Sequence, residues 1–275
     1  MSEVAVVTGG ASGLGLALGD RCAARGMAVA LLDLDGDRAA SEAAALATTH
    51  GVEALGLRVD VGDTADVEGA AASVDDRFGR ADLVVSNVGV QLFGAAERLT
   101  DDEWRWVLDV NVIGSARVAR AFLPMLRRAP HGRLAFTTSS SVLDPASHLA
   151  VYQTSKFAVW GLAESLRLEL AGDGVGVSVV FPSGMISRHL ETSEAAQPDH
   201  VRRPIGADED FSAMIASNPT MAEAVVTPEQ AARGVLDALL ADEPYVITHG
   251  DLVGAVAARS ASLQRAAEAA RDASS

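Results

Sequence analysis

Short apolar runs alternate along this chain with longer stretches whose apolar positions recur at helical spacing. The runs predict strands near 4–8 (VAVVT), 28–33 (AVALLD), 54–59 (ALGLRV), 82–87 (DLVVSN), 132–139 (GRLAFTTS), 176–181 (GVSVVF) and 245–248 (YVIT). Several are apolar throughout, as strands covered on both faces must be. Helical patterns fill the gaps at 14–25, 37–50, 63–79, 101–128, 152–171 and 228–241. Strand–helix alternation implies right-handed crossovers, hence a doubly wound, seven-stranded parallel sheet between two helical layers, a three-layer αβα arrangement. No repeat or long linker divides residues 1–275, so one domain is expected. Two regions break the rhythm. Residues 183–227 are polar and interrupted by proline, which predicts a lid or a disordered loop. Residues 251–275 are helix-prone but weakly amphipathic, a tail expected to fray.

Composition narrows the class. Hydrophobic residues make up 49% and charged residues 21%, so the chain should bury a substantial core. Aromatics are only 4%, so that core must be built from Ala, Val and Leu. The formal net charge of −15 makes nucleic acid and anionic membrane poor partners. Cys22, the single cysteine, sits in an apolar helical pattern and reads as a buried side chain. The histidines show no metal-ligand spacing, so no metal is expected. The N-terminus runs straight into a strand without a signal-like segment, and no apolar run is long enough to span a bilayer, so a soluble, cytoplasmic protein is expected.

The first strand ends in TGGASGLG, which supplies Thr8, Gly9, Ser12, Gly13, Leu14 and Gly15, and a helix follows at once. A strand-to-helix turn of this kind brings backbone N–H groups close to a pyrophosphate, where side chains would block the approach. Its spacing, T-G-x-x-x-G-x-G, is not the commonest dinucleotide fingerprint. Asp33 ends the second strand, where a carboxylate would meet adenosine ribose hydroxyls and repel a 2′-phosphate. It also suits a turn or helix cap. With no basic residue inside the turn, NAD is favoured over NADP; Arg38 is the counter-evidence.

Lys156 is the only lysine, while arginine supplies the rest of the 22 basic residues. It stands four residues after Tyr152, one of two tyrosines, in the helical segment YQTSKFAVWGLAESLRLEL. That spacing puts both on one helix face. A tyrosine is a poor base at neutral pH, and a nearby ammonium is expected to lower its pKa. Lysine is also compact enough to reach two adjacent hydroxyls.

TGGASGLG, SNVG, DVNVIG, TTSSS and YQTSK, in this order and spacing, resemble the short-chain dehydrogenase/reductase family over roughly residues 3–250. The resemblance implies a Rossmann fold, a nicotinamide cofactor and a catalytic set of Asn111, Ser139, Tyr152 and Lys156. In that set Tyr152 resembles the general acid/base and Lys156 its partner and ribose ligand. Ser139, 13 residues before Tyr152, resembles the serine that orients the substrate oxygen, with Ser140 and Ser141 at the wrong spacing. Asn111 resembles the asparagine that completes a proton relay through water. For the cofactor, the resemblance adds Asp60 and Val61, Asn87 and Gly89, and Pro182, Met185 and Ser187. Ser183 replaces the family's glycine and Ser187 its threonine.

Substrate contacts are expected from loops at the strands' carboxyl ends, carrying Val90, Gln91, Leu92, Val142, Leu143, His148, Leu149 and Met185, with Ser139, Val142, Leu149 and Tyr152 foremost. Their apolar character predicts a hydrophobic, cyclic or aromatic secondary alcohol or ketone. The alternatives are an NADPH-dependent ketone or 3-oxoacyl reductase and a non-catalytic nucleotide-sensing or scaffold protein. The resemblance also implies a homotetramer or dimer built on the helices at 101–128 and 152–171. If Lys156 serves as more than a charge, Lys156→Arg should remove most turnover in a steady-state assay; near-full activity would make the lone lysine a coincidence.

Overall fold

The computed structural model describes residues 2–205, 209–218 and 225–274. Its strands are β1 (Val4–Thr8), β2 (Ala28–Asp33), β3 (Ala54–Arg58), β4 (Leu83–Ser86), β5 (Arg133–Thr137), β6 (Gly176–Phe181) and β7 (Tyr245–Ile247). All pair in parallel in the order β3-β2-β1-β4-β5-β6-β7. Helices α1 (Gly13–Ala24), α2 (Gly36–His50), α3 (Thr64–Phe78), α4 (Asp101–Leu108), α5 (Gly114–Arg128) and α6 (Ala150–Leu170) make most of the outer layers.

Strand alternation sends successive side chains to opposite layers, and the cores divide accordingly. Val6, Val84, Leu134 and Val177 face α3, α5 and α6, where Val74, Phe122 and Ala163 meet them. Ala5, Val7, Leu83 and Ala135 face the other way, against Leu18 of α1, Leu46 of α2 and Val235. Both sheet faces are therefore dry, which is why the central runs show no polar alternation. A third cluster forms beyond the carboxyl ends of the strands, where Phe93, Trp106 and Tyr152 meet Val201, Ile205 and Met214 of the 183–227 region.

Several expected elements differ in detail. The helix predicted over 101–128 is divided by a π-type turn at Asp109–Ile113. Asn111 lies within that turn, fully buried, and its side chain is drawn out of the helix to bond neighbouring backbone. The helix predicted over 228–241 is split into Pro228–Ala231 and Val235–Leu240, because Gly234 between them is left-handed (φ 72°). The tail forms a helix over Val253–Asp272 with none of its residues buried. Within 183–227, helices at His189–Ala195 and Glu209–Ser217 are described, while 206–208 and 219–224 lie outside the described residues. Among the described residues no helix is long and apolar enough to cross a membrane, and no side-chain cluster is fit to hold a metal ion.

Where the core uses small residues, elements approach closely. A Cβ on Gly56 of β3 would stand 2.2 Å from the carbonyl oxygen of Ala39 in α2 and 2.4 Å from the Ala40 nitrogen. Backbone cannot yield as a side-chain tip does. Gly56→Ala should therefore cost about 1–3 kcal/mol and lower the melting temperature in thermal denaturation. An unchanged melting temperature would mean that the α2–β3 contact is slack.

Candidate active site

The strand order reverses between β1 and β4, and the crevice of a doubly wound sheet opens at that point, beyond the carboxyl ends. A cavity of about 970 Å³ occupies it here. One end is built by the glycine turn between β1 and α1. Gly9 and Gly13 are left-handed (φ +63° and +55°), and a Cβ on Gly13 would come into contact with Ser187 at 3.7 Å. Gly15 lies beneath the turn, where a Cβ would fall 2.1 Å from the Gly9 carbonyl oxygen, so α1 starts directly under the turn. Ser12, the N-cap of α1, makes no side-chain capping bond, and Ser12, Gly13 and Leu14 line the cavity.

The flanking turns are tied to this one. Thr8 Oγ1 accepts the Asn87 N–H (2.9 Å), and Asn87 Nδ2 donates to the Thr8 carbonyl (3.1 Å). Asp33 accepts the N–H of Ala11 (3.0 Å) and of Asp35 (3.1 Å), so it fixes the turn as well as lining the cavity. Asp60 accepts the Gly62 N–H (2.8 Å) and lines the cavity with Val61. On the opposite wall, Val226 donates to the Gly184 carbonyl (3.2 Å), and a His249 ring nitrogen lies 2.9 Å from the same oxygen. Ser183 does not strain this wall, because the positive-φ non-glycine residues described are His148 and Asp242.

The residues expected to act together converge in the middle. Tyr152 and Lys156 lie on one face of α6, and Lys156 is only 3% exposed. Its Nζ donates to the Thr137 carbonyl (3.1 Å) and stands 5.7 Å from the Tyr152 ring centre. Ser139 bonds the Tyr152 hydroxyl, and its own Oγ accepts both the N–H (3.1 Å) and the hydroxyl (3.0 Å) of Ser141. Ser141, a misplaced competitor by spacing, therefore orients Ser139. Asn111 accepts the Val90 N–H (2.7 Å) and donates to the Val90 carbonyl (3.0 Å) and Ser155 Oγ (2.9 Å). It sets the backbone that follows Gly89.

Burial dominates the ionisation of this group. It pushes the Tyr152 phenol up to about 12, against the opposing hydrogen bond from Ser139. It pulls the Lys156 ammonium down to about 8. The expected lowering of the phenol by Lys156 is therefore not seen: desolvation outweighs an ammonium at this separation.

Other expectations need correcting. Val142 and Leu149 do not line the cavity. Val142 belongs to a short helical turn whose side chain joins the main core, and Leu149 packs into the third cluster beside its bridge to Gly94. Leu92 and Leu143 are likewise buried away from it, and His148 pairs with Asp210 at 3.5 Å. Val90, Gln91 and Met185 do line it. Missed from sequence were the aromatic wall, Phe93, Trp106 and Phe211, and above all His189. The His189 ring centre lies 6.4 Å from that of Tyr152. Its position two residues after Ser187 was the available signal.

A nicotinamide dinucleotide fits these residues. The left-handed glycines hold a turn whose backbone lines the cavity without side chains, Asp33 and Asp60 line it with them, and Pro182, Met185 and Ser187 line it together with Tyr152 and Lys156.

Comparison with known proteins agrees. The short chain dehydrogenase family profile matches residues 3–198. A 1-deoxy-11-beta-hydroxypentalenate dehydrogenase from Streptomyces exfoliatus is 34% identical over 254 residues, 91% of this chain and 84% of that protein. The 17-beta-hydroxysteroid dehydrogenase type 1 of Homo sapiens is 36% identical over 250 residues, 88% of this chain and 75% of that protein. The solved structure of a short chain dehydrogenase/reductase from Burkholderia phymatum in complex with NAD aligns with a TM-score of 0.79 at 29% identity, covering 90% of this chain and 89% of that one.

A Cβ on Gly89 would stand 2.7 Å from Lys156 Nζ. Gly89→Ala should therefore displace the ammonium and weaken dinucleotide binding by about tenfold or more in calorimetric titration, with the melting temperature little changed. Unaltered affinity would show that the ammonium has room to move aside.

Proposed function

This chain belongs to the short-chain dehydrogenase family and is an oxidoreductase acting on CH–OH groups, and from that premise we propose that it interconverts a hydrophobic secondary alcohol and its ketone with NAD. The observation that carries the reading is the convergence of Ser139, Tyr152 and Lys156 on one wall, opposite Pro182–Ser187 and beside the glycine turn. A bound nicotinamide supplies the hydride acceptor or donor. Tyr152 gives a proton to the substrate oxygen in reduction and takes one in oxidation. Ser139, held by Ser141, fixes that oxygen through a hydrogen bond. Lys156, held by the Thr137 carbonyl, places a positive charge where a phenolate would form.

NAD is favoured because the Asp33 carboxylate bounds the adenosine end. Arg38 is turned toward the Ala11 carbonyl (2.7 Å) and Glu42 (3.5 Å). Arg188 also reaches this cavity but is paired with Glu191. The hydrophobic substrate is supported by a wall of Val90, Phe93, Trp106, Phe211, Met214 and Ile215. One relative is named for a hydroxysteroid, another for a hydroxypentalenate.

The test is a steady-state assay of bulky secondary alcohols and ketones with each cofactor, across pH. Tyr152 has its pKa near 12, so it stays protonated at neutral pH, and Lys156 carries its charge only below about 8. Ketone reduction should thus hold level through neutral pH and fall as the pH passes 8, while alcohol oxidation should climb as protons become scarcer. Tyr152→Phe should abolish both. A preference of about tenfold or more for NADPH would refute the role given to Asp33, and a preference for small polyols the hydrophobic pocket. Full function in Tyr152→Phe would favour a binding protein on this fold.

A further inference from the structure

His189 is a polar residue of the cavity, beside Tyr152, that the proposed reaction leaves without a task. It opens the helix His189–Ala195 and points its ring at the cavity beside Tyr152, at 6.4 Å between ring centres and 59° between planes. Among the described residues, neither ring nitrogen has a hydrogen-bond partner. The other partly buried histidines are all bonded. His50 is bonded to Asp20, His148 to Ser147, and His249 to both Thr248 and the Gly184 carbonyl. The ring is half-buried at the cavity wall, and its nitrogens stay accessible from the cavity, open to a molecule bound there.

We propose that His189 is a specificity-determining residue that binds a second oxygen of the substrate, close to the reacting carbon, so that the preferred substrate is a hydrophobic diol, hydroxyketone or diketone rather than a simple alcohol or ketone. The inference rests on the oxidoreductase reading above and deepens it. The apolar wall of Phe93, Trp106 and Met214 takes the carbon body, and Ser139 and Tyr152 take the reacting oxygen. His189 is the next polar group, adjacent to Tyr152, so the oxygen it meets belongs near the reacting one. Burial, and then the nearby Lys156 charge, hold the imidazole down at about 4, so it is neutral at working pH. A neutral imidazole has one donor and one acceptor nitrogen. It therefore serves a hydroxyl or a carbonyl equally, as an enzyme that takes either requires.

The test compares 1-phenyl-1,2-propanedione with propiophenone, which lacks the second oxygen. Intrinsic reactivity differs between them, but it cancels when variants are compared. Wild type should favour the diketone. His189→Leu should lower kcat/KM for the diketone about tenfold or more beyond its effect on propiophenone, mainly through KM, and His189→Gln should restore part of the difference. Equal losses on both substrates, or no loss on either, would overturn the proposal. Dissociation constants for the same pair, measured by titration of Tyr152→Phe with NADH present, carry the comparison without turnover. A diketone preference in binding that depends on His189 would uphold the inference even if wild type turned over neither compound, a result that would sink the proposed reaction instead. Equal dissociation constants with and without the imidazole would sink the inference.

Discussion

A charged ammonium buried at the centre of the crevice is the constraint around which this site is arranged. Lys156 is 3% exposed and holds a single backbone carbonyl, that of Thr137. Removing such a charge from water is costly, and the lowered pKa registers that cost. Everything close to it accommodates the head group. Gly89 has no side chain because Nζ occupies the space, Thr137 ends β5 at the height where its carbonyl is free, and Asn111 fixes the backbone following Gly89. Arginine has a broader head, and this space is cut for a compact one.

The sheet delivers these residues to one place. With dry helical layers on both faces, the ends of its strands are the places where polar side chains escape the core. Thr8, Asn87 and Thr137 follow or close three adjacent strands, and they bond one another: Thr8 to Asn87, and Thr137 Oγ1 to Asn87 Oδ1 at 3.0 Å. The glycine turn, the Asn87 turn and the Lys156 carbonyl ligand are thus one connected network. Phe93, Trp106 and Phe211 collect beyond this edge. Phe93 and Phe211 meet edge to face at 5.1 Å, one from the strand-end loop and one from the segment above it. Arg203 clamps the same contact by bonding Glu103 (2.6 Å) and the Phe93 carbonyl (2.5 Å). Burial pushes the Glu103 carboxyl up, but bonds from Thr100 and Arg203 more than offset it and hold the group below the usual carboxylate range. The covering segment is anchored by a charge pair at its rim and by apolar contact at its centre.

Apolar runs and helical spacing by themselves determined the strand–helix order and the parallel sheet, because each buried strand leaves an unbroken local signature. Motif spacing made Tyr152, Lys156, Ser139 and the glycine turn legible, since each demand is local: a helix face, or a turn without side chains. Tertiary structure alone decided the rest. Asn111 lies in a π-type turn because its partners, Val90 and Ser155, are distant in sequence. Ser141 supports Ser139 through a fold of the chain that spacing does not reveal. Val142 and Leu149 looked like substrate contacts by position, but packing turned them into the core. His189 looked like part of a polar loop, and folding set it against Tyr152. The pKa of Tyr152 followed the same rule. Sequence supplied the neighbouring charge, but desolvation is a property of everything packed around a group, and no local pattern contains it.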